Sequence, residues 1–386
     1  VNPEKFAINI PQQQLDDLQQ RLSLTRFAKD FGNDAWAYGT NGAYLQELVE
    51  YWKHSYDWRE HEAKMNAYDH YRVEVQGSPI HFMRIPGKGP SPTPLLLLHG
   101  WPWTFWDYQK IIGPLTDPEA HGGNAEDAFD VIVPSLPGYG FSTPLQQTGI
   151  NFWRTADMFV ELMEGLGYPK FAVHGHDWGA IVSAQLGHKY ADRLIGAHFT
   201  ILLPLDTFTG GGVDESFYTD EDRHLGPANE MFFADGGGYF ALQTTRPQTA
   251  AYGLNDSPAG LLAWILEKRR AWSDCNGDVE TRFSKDDLIT TVMIYWLTDS
   301  IGTSMRYYYE AAHNPWQPSH SREPVVEAPC GIADFPGEVV HQPEGWVRHY
   351  YNVNRLTRMP KGGHFAAMEE PELLCEDIRA FFAALR

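Results

Sequence analysis

Hydrophobic positions along this chain change their spacing three times, and the changes divide it. In the first 60 or so residues they recur at helical intervals. Leu15, Leu18 and Leu22 follow Pro11, which suits a first helical position, and Leu45, Leu48, Val49 and Trp52 share one face of a helix over roughly Tyr44 to Tyr56. From about Tyr71 the period shortens to two. Tyr71 to Val75 alternates, and Ile80 to Ile85 is its predicted hairpin partner. Unbroken apolar runs follow at Leu95–Leu98, Val131–Val133 and Phe171–Val173, with helices over about Thr155–Met163 and Gly179–His188 and a further strand near His198–Leu203. Short apolar strands alternating with helices predict an α/β fold: a mostly parallel sheet with helices on both faces.

After Pro204 the rhythm becomes helical again. Thr209-Gly210-Gly211-Gly212 opens a loop, and Ser257-Pro258 starts a helix carrying Leu261, Leu262, Ile265 and Leu266. Ser284-x-x-Asp287 reads as a capping box before Leu288, Val292 and Met293, and another helix spans Ser304 to His313. Strand patterns resume at Val325-Val326 and around Val347–Val353, and a last helix covers about Pro371 to Leu385. The expected organisation is an N-terminal helical extension over 1–70, an α/β core over 71–204 and 325–386, and a helical lid over 205–324.

Composition narrows the function classes. The formal net charge of −20 argues against nucleic acid and anionic membranes as partners. Three scattered cysteines give neither a disulfide framework nor a zinc spacing, which suits a reducing compartment. The first residues lack the apolar core of a signal peptide, and no uncharged apolar run approaches the length that spans a bilayer. A cytoplasmic protein with no membrane partner is the expectation.

The most specific chemistry lies at Val173-His174-Gly175-His176-Asp177-Trp178-Gly179, where an aspartate occupies the centre of a Gly-x-nucleophile-x-Gly turn between a strand and a helix. Serine is the usual occupant. Serine attacking a saturated carbon would leave an ether that water cannot readily cleave. Aspartate leaves an ester, and it needs no base to become a nucleophile at neutral pH. The substrate should therefore carry an electrophilic saturated carbon, as in an epoxide or a carbon–halogen bond. His174-x-His176-Asp177 as a metal site is the weaker reading, because no third ligand cluster follows.

In folds of this kind the acid and the histidine follow the nucleophile in chain order. His364, in Gly362-Gly363-His364-Phe365 ahead of the last helix, stands where the base belongs. Asp334 and Glu338 both stand beyond a strand end, and spacing leaves them even. The loop His99-Gly100-Trp101-Pro102 follows a buried strand, so the backbone amides of Trp101 and Trp178 are the candidate oxyanion donors.

Several strings carry a resemblance: His99-Gly100-Trp101-Pro102, His176-Asp177-Trp178-Gly179, Thr245-Arg246-Pro247-Gln248-Thr249, Asn255-Asp256-Ser257-Pro258, and Lys361-Gly362-Gly363-His364-Phe365-Ala366-Ala367. Through nearly its whole length the chain resembles the microsomal and juvenile-hormone type epoxide hydrolases of the α/β-hydrolase superfamily. The resemblance implies Asp177 as nucleophile, His364 as base, Glu338 rather than Asp334 as the orienting acid, and two lid tyrosines as proton donors. Gly238-Tyr239-Phe240 matches the first, and Tyr308 within Arg306-Tyr307-Tyr308-Tyr309-Glu310 matches the second, with a register open by one. It further implies an epoxide and water as reactants, a vicinal diol as product, no metal, no organic cofactor and a homodimer. Membrane-bound relatives begin with an anchor helix not found here, so a soluble bacterial-type member is expected. The role the resemblance implies is either biosynthesis of an antibiotic such as an enediyne or detoxification. Trp103 stands where glycine is common in the family, and its indole is expected to narrow or reshape the pocket mouth. The rival functions are a haloalkane dehalogenase, using the same nucleophile, and a non-catalytic binding protein on the same scaffold.

Overall fold

Leu95 to Leu98 have no solvent exposure at all, and the strand they form sits at the middle of the sheet because it is apolar on both faces. The computed structural model describes residues 2–386. The chain enters through a three-residue strand β1 (Glu4–Phe6) and three helices, α1 (Gln12–Ser23), α2 (Gly42–His54) and α3 (Trp58–Met65). The hairpin β2 (Asp69–Val75) and β3 (Ser78–Ile85) leads into β4 (Thr93–Leu98), α4 (Gln109–Thr116), β5 (Phe129–Pro134), α5 (Phe152–Gly165), β6 (Phe171–Gly175), α6 (Trp178–Lys189) and β7 (Leu194–Phe199). Inserted helices follow: α7 (Leu225–Gly236), α8 (Gly238–Thr245), α9 (Pro247–Leu254), α10 (Pro258–Ala271), α11 (Lys285–Leu297) and α12 (Ile301–His313). The chain closes with β8 (Val326–Asp334), α13 (Glu344–Tyr350), β9 (Tyr351–Arg358), α14 (Ala366–Glu369) and α15 (Pro371–Ala383).

Among the described residues, nine strands lie in the order β1-β2-β3-β5-β4-β6-β7-β8-β9. The first four are joined by antiparallel pairings, and all pairings from β5 to β9 are parallel. Parallel strands end on the same edge of the sheet, so the loops after β4, β6, β8 and β9 converge there, where open α/β sheets bind ligands. Helix α6 runs through the interior, with every residue from Trp178 to His188 buried.

Three element readings need correction. The N-terminal 60 residues are not wholly helical, since Glu4–Phe6 adds a strand to the sheet edge against His70–Arg72. Three residues carry no periodic signal; the edge of β2 supplies the template. The strand read at His198–Leu203 lies at Leu194–Phe199, with Ile201 and Leu202 buried outside any strand, so apolarity there marked burial and not extension. Val347 belongs to helix α13, where it is buried beside Trp346, and the strand begins only at Tyr351. The Ser284–Asp287 capping box forms with both of its reciprocal bonds.

The N-terminal helices brace the inserted ones. Helices α1 and α2 pack on α10, and α2 and α3 on α11. Tyr51 donates to Asp286 at 2.8 Å, and Thr40 donates to the Ala263 carbonyl at 2.7 Å.

Candidate active site

The turn after β6 is strained. Asp177 has φ 47° and ψ −123°, a region that costs a side-chain-bearing residue on the order of 1–3 kcal/mol. Two glycines make the turn sterically feasible. A Cβ on Gly179 would lie 1.9 Å from the Leu98 carbonyl oxygen, and one on Gly175 would lie 2.1 Å from that of Gly179. The strain holds the Asp177 carboxylate above the strand ends.

The loop after β4 meets it there. The Trp101 amide donates to Asp177 Oδ1 at 2.7 Å, and Gly100 passes so close that a Cβ would stand 2.1 Å from the same oxygen. The donating peptide is fixed from behind. His99 Nε2 accepts the Leu136 amide at 3.0 Å, so its proton sits on Nδ1 and goes to the Gly100 carbonyl at 2.9 Å. The Trp178 amide, the other expected donor, opens α6 but makes no bond to the carboxylate here; only Trp101 does.

His364 comes from the loop after β9. Its Nε2 lies 3.5 Å from Asp177 Oδ2 and has no hydrogen-bond partner, while its Nδ1 donates to Glu338 Oε1 at 2.6 Å. Glu338 Oε1 also accepts the Val339 amide at 2.7 Å. Asp334 is engaged elsewhere, with His341 at 3.0 Å and with Arg358. Geometry thus separates two carboxylates that spacing left even. Burial works against a charged imidazole at His364, but Glu338 and Asp177 together outweigh it and raise its pKa to about 10.

Glu369 is a residue that sequence reasoning passed over. It is buried at the end of α14, where Oε1 accepts the Phe365 amide at 2.9 Å and Oε2 accepts the Gly363 amide at 3.0 Å, the amides of the residues on either side of His364. The Trp272 carbonyl, at the end of α10, accepts the His364 amide at 2.9 Å. Nothing in spacing marks Glu369 or Trp272, because their role is to accept backbone hydrogen bonds across the fold.

The inserted helices bring two tyrosines over this arrangement. Tyr239, on α8, stacks on Trp101 at 5.4 Å, and Tyr308, on α12, packs edge-on to Trp178 at 4.7 Å and to Tyr239 at 6.0 Å. Burial, then the nearby Asp177 charge, pushes the pKa of each phenol up, so both stay protonated. The neighbours of Tyr308 face other ways. Tyr307 gives its hydroxyl to Thr155 at 2.7 Å, and Tyr309 stacks on His313 at 3.9 Å. A cavity of about 820 Å³ is lined by Trp36, Phe232, Trp264, Lys268, Tyr239 and Trp272.

One sequence reading changes. Trp103 does not line a pocket mouth; it is fully buried, stacked on His176 at 4.6 Å, so it packs under the site and not over it. His174 and His176 bond each other at 2.8 Å, and His174 bonds His198, which bonds Asp377 at 3.0 Å. Thr200 completes the row at His176. Donor and acceptor can alternate from ring to ring along it, and burial holds His174 and His176 well below the usual histidine pKa. No cluster of three or more candidate metal ligands occurs among the described residues. Nor is any of their helices long and apolar enough to cross a membrane.

Comparison with known proteins accords with this geometry. Residues 3–108 match the epoxide hydrolase N terminus family, and residues 93–207 match the alpha/beta hydrolase fold family. Epoxide hydrolase 1 of Oryctolagus cuniculus is 38% identical over 403 residues, covering 97% of this chain and 88% of that protein. Among solved structures, the juvenile hormone epoxide hydrolase of Bombyx mori superposes with TM-score 0.84 at 32% identity, covering 100% of this chain and 94% of that one. The Aspergillus niger epoxide hydrolase superposes with TM-score 0.85 at 28% identity, covering 100% and 97%. Identity of this order across the whole chain, on a shared α/β-hydrolase frame, places the protein in the epoxide hydrolase family, as a hydrolytic enzyme.

Proposed function

We propose that this enzyme opens an epoxide to a vicinal diol through an ester on Asp177, with 205–324 acting as a lid that brings the proton donors. The observation that carries the reading is the division of labour at one carboxylate. Oδ1 is held by the Trp101 amide at 2.7 Å, while Oδ2 faces His364. Oδ2 attacks a ring carbon, the carbon–oxygen bond opens, and the departing oxygen takes a proton from Tyr239 or Tyr308. General acid help of this kind is worth about 10²–10⁴ in rate.

Esterification removes the Asp177 charge, and with it one of the two carboxylates that hold the His364 pKa at about 10. His364 then sheds its proton, which replaces the one the tyrosine gave up. The neutral imidazole, still oriented by Glu338, draws a proton from water as the oxygen adds to the ester carbon. Charge develops on Oδ1, already seated at the Trp101 amide; the Trp178 amide completes the oxyanion hole. When the intermediate collapses, the diol leaves with the proton of the added hydroxyl, and Asp177 is a carboxylate again. Ionic charges and protons balance over the cycle, so no organic cofactor is called for.

The aromatic walls formed by Trp101, Trp178, Tyr239 and Tyr308 suit an apolar or aryl epoxide, met in biosynthesis or in detoxification. A single turnover of styrene oxide with excess enzyme in heavy-oxygen water tests the reading. The label should enter the peptide containing Asp177 and be missing from the first diol released. Label wholly in the diol would refute the ester.

A further inference from the structure

The inserted helix α10 carries a buried arginine that the mechanism above does not use. Arg269 is 2% exposed. It pairs with Asp107, equally buried, at 2.6 Å, and its second nitrogen donates to the Pro102 carbonyl at 3.0 Å and to Thr291 at 3.3 Å. The guanidinium also lies 4.3 Å over the ring of Phe365, the residue after His364. One side chain therefore touches the loop that presents the Trp101 amide and the loop that carries His364. Asp107 extends the grip, since its other oxygen accepts the Thr104 amide at 2.7 Å. Beside it, Tyr295 of α11 donates to the next carbonyl, that of Trp103, at 2.7 Å.

A buried ion pair is weak evidence for stability, because well-packed apolar residues of the same volume serve as well or better. What a guanidinium adds is geometry: a rigid plane of donors that can satisfy a carboxylate and a carbonyl at once and stack on a ring. Lysine offers the charge without that fork.

We propose that Arg269 is a positioning residue for the hydrolytic half of the reaction, holding the Pro102 carbonyl so that the Trp101 amide stays aimed at Asp177 Oδ1. The inference rests on the ester reading of Asp177. Ester formation leaves charge on the substrate oxygen, which the tyrosines meet. Ester hydrolysis puts charge on Oδ1 and is the step that depends on an accurately placed amide. Loosening the loop should slow the second step more than the first.

The test uses the full chain and styrene oxide in rapid-quench single turnovers, with the ester quantified by intact-protein mass. Two variants are compared with the parent: Arg269→Lys, which keeps the charge opposite Asp107, and Arg269→Met combined with Asp107→Asn, which leaves no unpaired buried charge. In both, ester formation should stay close to the parent rate. Ester decay should slow roughly ten-fold or more, short of the factor of about 10²–10³ that deletion of an oxyanion donor costs. The ester should accumulate, and kcat and KM should fall together. A merely structural residue would lower the amount of active enzyme without changing the ratio of the two steps. Equal slowing of both steps, or no change in either, overturns the role of Arg269 while leaving the ester intact. A parent enzyme that forms no ester overturns both.

Discussion

In the proposed mechanism, Glu338→Gln isolates the charge that the imidazole needs during water attack. The amide is nearly isosteric, and its oxygen can still accept from His364 Nδ1 and from the Val339 amide. Only the negative charge goes. As water is deprotonated, His364 becomes an imidazolium bonded at 2.6 Å to a carboxylate that is 1% exposed. Two opposite unit charges in such contact attract by about 4 kcal/mol at an effective dielectric near 20. At about 1.4 kcal/mol per decade, losing that attraction slows ester hydrolysis by about 10³. Ester formation, which in that mechanism uses Asp177 and the tyrosines, should change far less. The matched control is Asp334→Asn. Asp334 bonds His341 and Arg358 and has no contact with His364, so ester decay in that variant should match the parent. Rapid-quench mass measurement of ester formation and decay distinguishes the cases. If Asp334→Asn slows decay as much as Glu338→Gln does, or if Glu338→Gln slows both steps alike, the reasoning fails.

Other outcomes follow from the same geometry. Tyr239→Phe and Tyr308→Phe should each slow ester formation by about 10² or more, and the pair should abolish it. Tyr307→Phe should keep activity and lose about 1 kcal/mol of stability, read by denaturant titration, because its hydroxyl serves Thr155. Nitrogen-detected NMR of Asp177→Asn should show His364 titrating below the value of about 10 set by the two carboxylates; an unchanged midpoint would mean that Asp177 does not raise it. The sign for folding is fixed by the same shift. In the parent, the raised His364 pKa contributes stability that is fully present below about pH 6.5, the unfolded value, and is lost as pH rises through about 10. Trp103→Ala should cost about 3–5 kcal/mol in thermal or chemical unfolding, without widening the range of epoxides accepted, because the indole packs beneath the site.

The sequence by itself determined the elements whose signal is local. Leu95–Leu98 and Phe171–Val173 are apolar enough to be interior strands wherever they sit, and Gly175-x-Asp177-x-Gly179 can turn a strand into a helix only with a strained residue at its centre. From that one residue the proposed class of chemistry follows, since a carboxylate, unlike a serine, would leave a hydrolysable ester on a saturated carbon. Family resemblance, not spacing, put Glu338 ahead of Asp334 and Tyr308 ahead of its neighbours. Tertiary structure decided what depends on neighbours distant in the chain. It gave Glu338 to His364 and Asp334 to His341, turned Tyr308 to the site while Tyr307 found Thr155, buried Trp103 against His176, and made Val347 helical. A side chain's direction is set by the packing around it, and a hydrogen bond across 167 residues, such as Arg269 to Pro102, leaves no trace in periodicity. Local spacing encodes which way the backbone runs; only the assembled sheet and its inserted helices fix what each side chain meets.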